Sequence, residues 1–245
     1  MVCKPGSQYS VPDVSQHLVH AIRAAAAARI SRQQKPPTPR LLSPPPVFQT
    51  THKVVAIGAS TGGTKAIETI LRAFPVTAPG TVIVQHMPEH FTTAFAQRLN
   101  QICALEVREA QDRDPVVPGV ALIAPGNRHL LLQKSGSRYL VRVKDGPPVH
   151  HQRPSVDVLF QSVARSAGRN AIGVLLTGMG VDGAKGLLAM RKRGAHTLVQ
   201  DEQSCVVFGM PKEAINLGAA ERVVPLEQMA QAILESLETS TPVSG

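Results

Sequence analysis

A short apolar strand that runs directly into a glycine-rich turn constrains this chain more than any other stretch. Residues 54–57, Val-Val-Ala-Ile, are typical of a buried strand, and Gly-Ala-Ser-Thr-Gly-Gly follows at 58–63. Apolar residues then recur at i, i+3, i+4 and i+7, the spacing of one helix face; they are Ile67, Ile70, Leu71 and Phe74. Residues 58–62 fit G-x-S-x-G, a sharp turn that exposes its serine beside the unpaired amides of a helix N-terminus. Ser60 is therefore a candidate nucleophile, although small residues at this place are also typical of an ordinary tight turn.

Downstream of this turn, apolar strands continue to alternate with helical patterns. Further strands are predicted at 81–85, 120–123, 172–176 and 197–199, and a hairpin at 129–133 with 138–143. Helices are predicted at roughly 91–100, from 153 onward, after the turn at 177–183 to about 193, and near 211–217 and 226–237. This alternation predicts an α/β fold: a doubly wound, mostly parallel sheet with flanking helices and a β-hairpin insertion.

Residues 1–53 differ from the rest of the chain in composition. A helix-start signal at 10–13 precedes an alanine-rich run that ends at Ile30. The run carries an apolar stripe of Val14, Leu18, Ile22 and Ala25. One such orphan helix cannot form its own core, so we expect it to pack on something absent from this chain. Residues 32–53 contain six prolines and little periodicity, which predicts an extended basic linker.

The net charge of +9 divides unevenly between these two parts. Residues 1–53 carry seven Lys or Arg and one acid, a net charge of +6, whereas residues 54–245 carry nineteen against sixteen, a net charge of +3. A nucleic-acid-binding domain concentrates basic residues in its folded part and often uses aromatic stacking. Aromatic residues make up only 3% of this chain. We therefore expect no nucleic-acid partner.

The remaining composition argues against a membrane protein and against a metal site. No apolar run approaches the roughly 20 residues of a membrane span, and the N-terminus lacks a signal-peptide pattern. Cys3, Cys103 and Cys205 are scattered without zinc-ligand spacing, which is typical of a reducing compartment. We expect a cytoplasmic protein with no membrane insertion, no metal and no cofactor.

Three residues with complementary chemistry follow three of the predicted strands. Ser60, His86 and Asp182 each come directly after a buried strand, and strands of a parallel sheet end at one shared edge, where such folds place their functional crevice. A serine hydroxyl becomes nucleophilic when a nearby histidine accepts its proton, and an aspartate can orient and stabilise that histidine. The order Ser, His, Asp differs from the order Ser, acid, His of the α/β-hydrolase fold, which argues against that particular fold.

Other residues compete for these roles or have simpler explanations. Asp201 also ends a strand but lacks glycine-rich surroundings, so it ranks second to Asp182. His90 at a helix start is explained by solvation, and His129 before a hairpin strand by a structural role. His150 and its neighbour at 151 follow Gly-Pro-Pro in a loop and could equally form a substrate-binding rim.

Seven blocks of sequence carry a resemblance to a known family. They cover about residues 54–237 in the family's order. The blocks are Gly58-Ala59-Ser60-Thr61-Gly62-Gly63, Gln85-His86-Met87-Pro88, Ala124-Pro125-Gly126, Asp145-Gly146-Pro147-Pro148, Arg153-Pro154-Ser155-Val156-Asp157, Thr177-Gly178-Met179-Gly180-Val181-Asp182-Gly183 and Cys205-Val206-Val207-Phe208-Gly209-Met210-Pro211. With these blocks the chain resembles the chemotaxis protein-glutamate methylesterases of the CheB family.

The resemblance implies a hydrolase and names its site. It implies that glutamate γ-methyl esters on the cytoplasmic helices of methyl-accepting chemotaxis receptors are hydrolysed with release of methanol, often with deamidation of receptor glutamines. Carried over by motif, the catalytic residues are Ser60, His86 and Asp182. The backbone amide of Met179, with Thr61 beside the nucleophile, is implied as an oxyanion donor.

The resemblance also gives an explanation of the front segment. Members of the family resemble a response-regulator receiver domain joined by a linker to the esterase domain, in a phosphorelay. Residues 1–31 look like the end of a receiver, residues 32–53 like the linker, and residues 54–240 like the catalytic domain. The phospho-acceptor aspartate is missing. The chain is then a truncated reading frame, a degenerate copy or a fragment of a longer protein.

Two other classes of protein are weighed against this hypothesis. The turn at 58–63 is also similar to that of short-chain dehydrogenases, which bind dinucleotides. Those enzymes use Tyr-x-x-x-Lys, yet Asp13 and Val143 stand four residues after Tyr9 and Tyr139. The other class is a non-catalytic signalling module that binds receptors. The complete set of Ser, His and Asp argues against it, whereas the incomplete receiver keeps it open.

Overall fold

The computed structural model describes residues 53–238, which form a sheet covered by helices on both faces. The strands are β1 (Val54–Ala59), β2 (Gly80–Gln85), β3 (Glu106–Glu109), β4 (Val120–Ile123), β5 (His129–Ser135), β6 (Arg138–Lys144), β7 (Ala171–Leu175), β8 (His196–Gln200) and β9 (Arg222–Val224). The helices are α1 (Gly63–Ala73), α2 (Phe91–Ile102), α3 (Val156–Ser166), α4 (Ala184–Lys192), α5 (Met210–Asn216) and α6 (Leu226–Glu238), with a short 3-10 turn at Gly168–Asn170. The predicted front helix, and the linker up to residue 52, lie outside the described residues.

Seven strands form one parallel sheet in the order β3-β4-β2-β1-β7-β8-β9. From the central strand β1 the chain first builds toward β3 and then, from β7, toward β9. The order therefore reverses at the middle of the sheet, and folds of this kind bind ligands beyond the carboxyl ends of the strands at such a point. The prediction of a doubly wound, mostly parallel sheet is confirmed.

Alternating side chains of the central strand fill two separate cores. Val55 and Ile57 pack with α1, α2 and α6 on one face. Val54 and Ala56 pack on the other face with α3, α4, α5 and the two-stranded antiparallel sheet of β5 and β6. All six residues of β1 are buried, which fits a strand covered on both faces. The predicted hairpin is confirmed, and it forms part of the second layer.

The start of α3 lies against the central strand because residue 58 is a glycine. A Cβ atom placed on Gly58 would be 2.2 Å from Cγ1 of Val156, the first residue of α3. No side chain can occupy that space, so any larger residue at 58 would push the start of α3 away from the sheet. This close approach brings the N-terminus of α3 to the carboxyl end of the central strand β1.

Two edge strands are additions to the predicted set. β3 and β9 are short strands that each carry an exposed charged residue, and they close the sheet at its two ends. Within the part of the chain that the structure covers, no helix combines the length and the apolar character needed to cross a membrane.

Candidate active site

The register of β1 and β2 places Ser60 beside His86. The last paired residues of the two strands are Ala59 and Gln85, so both chains leave the sheet at the same level. The backbone amide of His86 donates to the carbonyl oxygen of Ala59 at 3.0 Å. Because neighbouring strands are about 4.8 Å apart, the two residues that follow must be neighbours. The strand-end argument from the sequence thus gives the observed arrangement of this pair.

The turn that carries Ser60 is held by its backbone. The Ser60 amide donates to the carbonyl of Thr177 at 3.0 Å, and the Gly63 amide donates to the carbonyl of Ser60 at 2.8 Å. Gly62 precedes α1 with a φ of 82°, a left-handed conformation that glycine adopts without strain. A Cβ atom on Gly178 would lie 2.7 Å from Cβ of Ser60, so only a glycine there leaves room for the serine.

Gln85 connects the serine and the histidine through their carbonyl groups. Its buried side-chain amide donates to the carbonyl of Ser60 at 2.8 Å and to that of His86 at 3.2 Å. Its own Oε1 atom is buried without a hydrogen-bond partner among the described residues. One amide group therefore holds the backbone at both Ser60 and His86, which helps to keep their side chains at a fixed distance from each other.

Replacing Gln85 by methionine should slow the hydrolysis that the resemblance implies by about 10- to 100-fold, because small misplacements of reacting groups are costly. Methionine has a similar volume and would fill the buried site without donating to either carbonyl. The measurement is kcat/KM for the variant against the unmodified chain, with Gln133→Met on the exposed end of β5 as matched control. A Gln85→Met rate equal to that of the control would contradict the positioning role.

His86 and Asp182 form a buried hydrogen-bonded pair. Nε2 of His86 is 2.8 Å from Oδ2 of Asp182, and the two side chains are only 5% and 2% exposed. Since the carboxylate oxygen accepts, the Nε2 atom carries the proton. Nδ1 of a neutral ring is then a free acceptor, and among the described atoms it is buried without any partner. The ring nitrogen left to accept a proton is therefore Nδ1.

Asp182 also anchors the N-terminus of α3. Besides His86, its carboxylate accepts from the Ser155 hydroxyl at 2.8 Å and from the amides of Val156 at 2.7 Å and Asp157 at 3.0 Å. Burial alone would raise the pKa of Asp182, but the hydrogen bond and charge of His86 and the two amides lower the pKa below its ordinary value. The carboxylate therefore stays ionised at neutral pH, beside the positive end of a helix dipole.

The rival aspartate takes part in a different structure. Asp201 accepts hydrogen bonds from the amide of Ser204 at 3.1 Å and from its hydroxyl, within its own loop. The structure thus brings Asp182, rather than Asp201, into contact with His86.

Thr61 and Met179 lie in the two loops that surround Ser60. Thr61 follows the serine directly, and its carbonyl accepts from the hydroxyl of Thr177 at 3.0 Å. Met179 follows Gly178, whose carbonyl accepts from the amides of two residues that begin α5, at 3.1 and 2.9 Å. The loop after β1 is thus tied to the loop after β7, which is tied in turn to the start of α5.

The four other histidines weighed in the sequence analysis fall into three environments. His90 is exposed at the N-cap position of α2, and His151 is exposed in its loop. His129 is buried, with Nε2 at 3.0 Å from the carbonyl of Pro147, and its Nδ1 atom accepts from the amide of Ser155 at 3.2 Å. His129 thus links the loop at Pro147 to Ser155, whose hydroxyl donates to Asp182, which is a structural role. His150 contacts Asp157, which the sequence did not indicate.

Cys205, in the loop between β8 and α5, is unsuited to nucleophilic chemistry. Cys205 is buried, and this burial raises the pKa of its thiol to about 12. The reactive thiolate is thus nearly absent at neutral pH.

A doubly wound sheet with a serine, a histidine and a carboxylate at the ends of its central strands defines a class of protein, a hydrolytic enzyme of α/β architecture. The family description "CheB methylesterase" matches residues 55–233. The chain belongs to the CheB methylesterase family.

Individual relatives agree with this assignment. The chain is 55% identical over 237 residues to a protein-glutamate methylesterase/protein-glutamine glutaminase of Syntrophus aciditrophicus, covering 95% of the chain and 69% of the relative. It is 57% identical to one of Anaeromyxobacter dehalogenans, covering 96% of the chain and 66% of the relative. The chain thus spans about two thirds of the length of these curated relatives.

A solved structure shares the fold. The crystal structure of the Thermotoga maritima CheB methylesterase catalytic domain superposes with a TM-score of 0.73 at 36% identity, covering 77% of this chain and 99% of that one. The comparisons favour neither the dinucleotide-binding alternative nor the non-catalytic one.

Proposed function

We propose that this chain hydrolyses the γ-methyl esters of glutamate residues on the cytoplasmic helices of chemoreceptors and releases methanol. The same chemistry would deamidate receptor glutamines with release of ammonia, as the names of the relatives indicate for those proteins. Its place of action is then the cytoplasm, in chemotaxis adaptation. The observation that carries the proposal is the pair of His86 and Asp182 joined at 2.8 Å, with Nδ1 of the histidine left without a hydrogen-bond partner among the described residues.

The first half of the reaction forms an acyl-enzyme. Oγ of Ser60 attacks the ester carbonyl while Nδ1 of His86 accepts the hydroxyl proton. Asp182 stabilises the resulting imidazolium through Nε2 without taking its proton. When the tetrahedral intermediate collapses, the carbon–oxygen bond to the methoxy group breaks, and Nδ1 returns the proton to the leaving methanol.

The second half repeats these steps with water. Nδ1 of His86 accepts a proton from water as the water oxygen attacks the acyl-enzyme, and then protonates Oγ of Ser60 as the glutamate carboxyl group leaves. In both halves the negative oxygen of the intermediate needs donors, for which we propose the amides of Met179 and Thr61. Their loops are hydrogen-bonded to each other and to the start of α5, which supports a donor arrangement that does not reorganise during the reaction.

The catalytic domain is proposed to occupy residues 54–240, with a remnant of a receiver domain at 1–31 and a linker at 32–53. The family match over 55–233 and the described fold over 53–238 support the extent proposed for the catalytic domain.

A serine-directed organophosphonate should test nucleophile and substrate together. Its reaction with the chain should attach one phosphonyl group to Ser60, identified by mass spectrometry of a peptic digest. The labelled protein should release no methanol from methylated receptor fragments carrying a tritiated methyl group, whereas unlabelled protein should. Labelling at another serine, or unchanged release by fully labelled protein, would overturn the assignment.

A further inference from the structure

Two exposed apolar side chains belong to the loops that carry His86 and Asp182. Phe91 begins α2, shortly after His86, and is 58% exposed, whereas Val181 directly precedes Asp182 and is 43% exposed. Seven large apolar side chains are exposed in the described part of the chain, and of these only Phe91 and Val181 follow the carboxyl end of a strand. The hydrolysis described above gives neither residue a role.

Phe91 is exposed although its backbone is firmly held. His90 before it has a φ of 74°, a left-handed conformation that a residue with a side chain rarely adopts. Thr92 after it is buried; its hydroxyl donates to Glu109 and accepts from the amide of Gly126 at 3.1 Å. These neighbours fix the start of α2, so the ring of Phe91 is presented to solvent by a constrained segment.

Val181 is exposed because the turn that contains it buries the next residue. Gly180 and Gly183 both have a φ of 93°, and the amide of Ala184 donates to the carbonyl of Val181 at 3.2 Å. Within this turn Asp182 is only 2% exposed. Holding the carboxylate inside the domain therefore leaves the side chain before it at the surface.

The loops of Phe91 and Val181 follow the two strands on either side of β1. Both β2 and β7 pair with β1, so the loop of Ser60 leaves the sheet between the other two loops. Since neighbouring strands are about 4.8 Å apart, the ends of β2 and β7 are about 10 Å apart. An α-helix with its side chains is about 10–12 Å wide. One helix laid across the end of β1 therefore also covers the ends of both neighbours.

The proposed substrate has to approach in this way. In a glutamate γ-methyl ester only the Cβ and Cγ methylene groups separate the ester from the Cα atom, so the helix backbone must come close to Ser60. A helix in that position contacts the loops on both sides and removes exposed apolar surface from water, which is favourable. An ester on a single residue is too small to make these contacts.

We propose that Phe91 and Val181 form a helix clamp, which binds the receptor helix on both sides of the ester and so selects helical protein esters over small ones. This inference rests on the proposed function for the identity of the helix. Half-buried Met87 and Met179 lie on the same two loops and extend the apolar surface. Unbranched methionine side chains adapt to different partners. The clamp fits a helix with apolar residues one turn before and after the ester, on the same face.

The test compares a methylated receptor helix fragment with N-acetylglutamate γ-methyl ester N-methylamide, which carries the same ester on one residue. Phe91→Ser should raise KM for the fragment at least about 10-fold, and Val181→Ser about 5-fold, with kcat unchanged, because apolar contacts to the helix are lost. For the single-residue ester, kcat/KM should stay within about 2-fold in both variants. Thermal unfolding provides a second check on the fold.

The matched controls remove exposed apolar side chains elsewhere. Ile102→Ser, at the other end of α2, and Val223→Ser, on β9, change residues that are 41% and 50% exposed. Both controls should leave KM for the fragment unchanged. An unchanged KM in Phe91→Ser and Val181→Ser would overturn the clamp, as would an equal loss of activity with both substrates, which indicates a structural effect.

A binding measurement separates the clamp from the proposed function. The dissociation constant of the methylated fragment is measured for the Ser60→Ala chain with and without Phe91→Ser. A weakening of about 10-fold supports the clamp. Equal dissociation constants, or no binding by the Ser60→Ala chain, overturn it. If the unmodified chain releases no methanol from the fragment, the proposed function fails whatever the binding result.

Discussion

A Ser60→Ala chain is expected to release methanol from methylated receptor at least about 10⁵-fold more slowly than the unmodified chain, because the reaction loses its nucleophile and water must attack unaided. The fold should survive the substitution. The backbone of Ser60, rather than its hydroxyl, carries the hydrogen bonds that hold the turn in the described part of the chain. The measurement is single-turnover release of labelled methanol, with thermal unfolding as the check on structure.

The matched control is Ser135→Ala, a serine-to-alanine change at the exposed end of β5. Ser135→Ala should unfold within a few degrees of the unmodified chain, since surface substitutions change the free energy of unfolding by about 0.5 kcal/mol or less. Ser60→Ala should do the same because the backbone of Ser60 makes the hydrogen bonds that hold the turn. A Ser60→Ala rate close to that of the control would exclude a serine nucleophile at this position.

An Asp182→Asn chain should lose about 10⁴-fold in kcat, because the substitution reverses the proton arrangement of His86. If the asparagine amide donates to Nε2, the ring proton must move to Nδ1, where it blocks acceptance of the serine proton. If the asparagine oxygen faces Nε2 instead, no negative charge stabilises the imidazolium. The rate is measured at the pH optimum on the same ester, beside Asp201→Asn, which should keep most of its activity because it belongs to a separate loop.

The same variant should change the pH dependence of stability. Because the folded protein lowers the pKa of Asp182, this carboxylate contributes stability above its unfolded pKa of about 4, and the contribution is lost as the pH falls through the folded value. The asparagine variant lacks that contribution. Its free energy of unfolding should therefore fall less than that of the unmodified chain between pH 5 and pH 2. A larger rate loss in Asp201→Asn than in Asp182→Asn would show that Asp201, rather than Asp182, is the catalytic acid.

Most of the fold follows from local sequence, and its exceptions have a physical reason. Strands such as Val54–Ala59 are buried on both faces, so each residue must be apolar or small and the strand stands out. Glu106–Glu109 and Arg222–Val224 lie at the edges of the sheet, where charged side chains can face solvent. Their sequences carry no apolar run, so only their pairing with a neighbouring strand identifies them.

The residues of the site likewise divide into those that the sequence could predict and those that it could not. Ser60, His86 and Asp182 could be proposed because the first two directly follow buried strands and the third lies in the glycine-rich loop after one, relations that sequence position preserves. Gln85 and Ser155 could not be assigned roles, since their contacts to Ser60 and Asp182 span 25 and 27 residues of chain. His150 was one of several loop histidines until the start of α3 placed Asp157 beneath it.

The direction of β1 decides how an upstream segment could reach Ser60, the proposed nucleophile. Lys53 enters at the beginning of this central strand, and Ser60 lies at its opposite end, about 20 Å away along six extended residues. Parallel strands occupy both sides of β1, so there is no direct route through the sheet. Anything attached before residue 53 must therefore travel around the outside of the domain to cover the serine. A segment of about 20 residues in polyproline conformation spans about 60 Å, enough for that path. Whether an upstream segment can cover Ser60 would thus depend on the length of the tether between them rather than on how close the two lie in sequence.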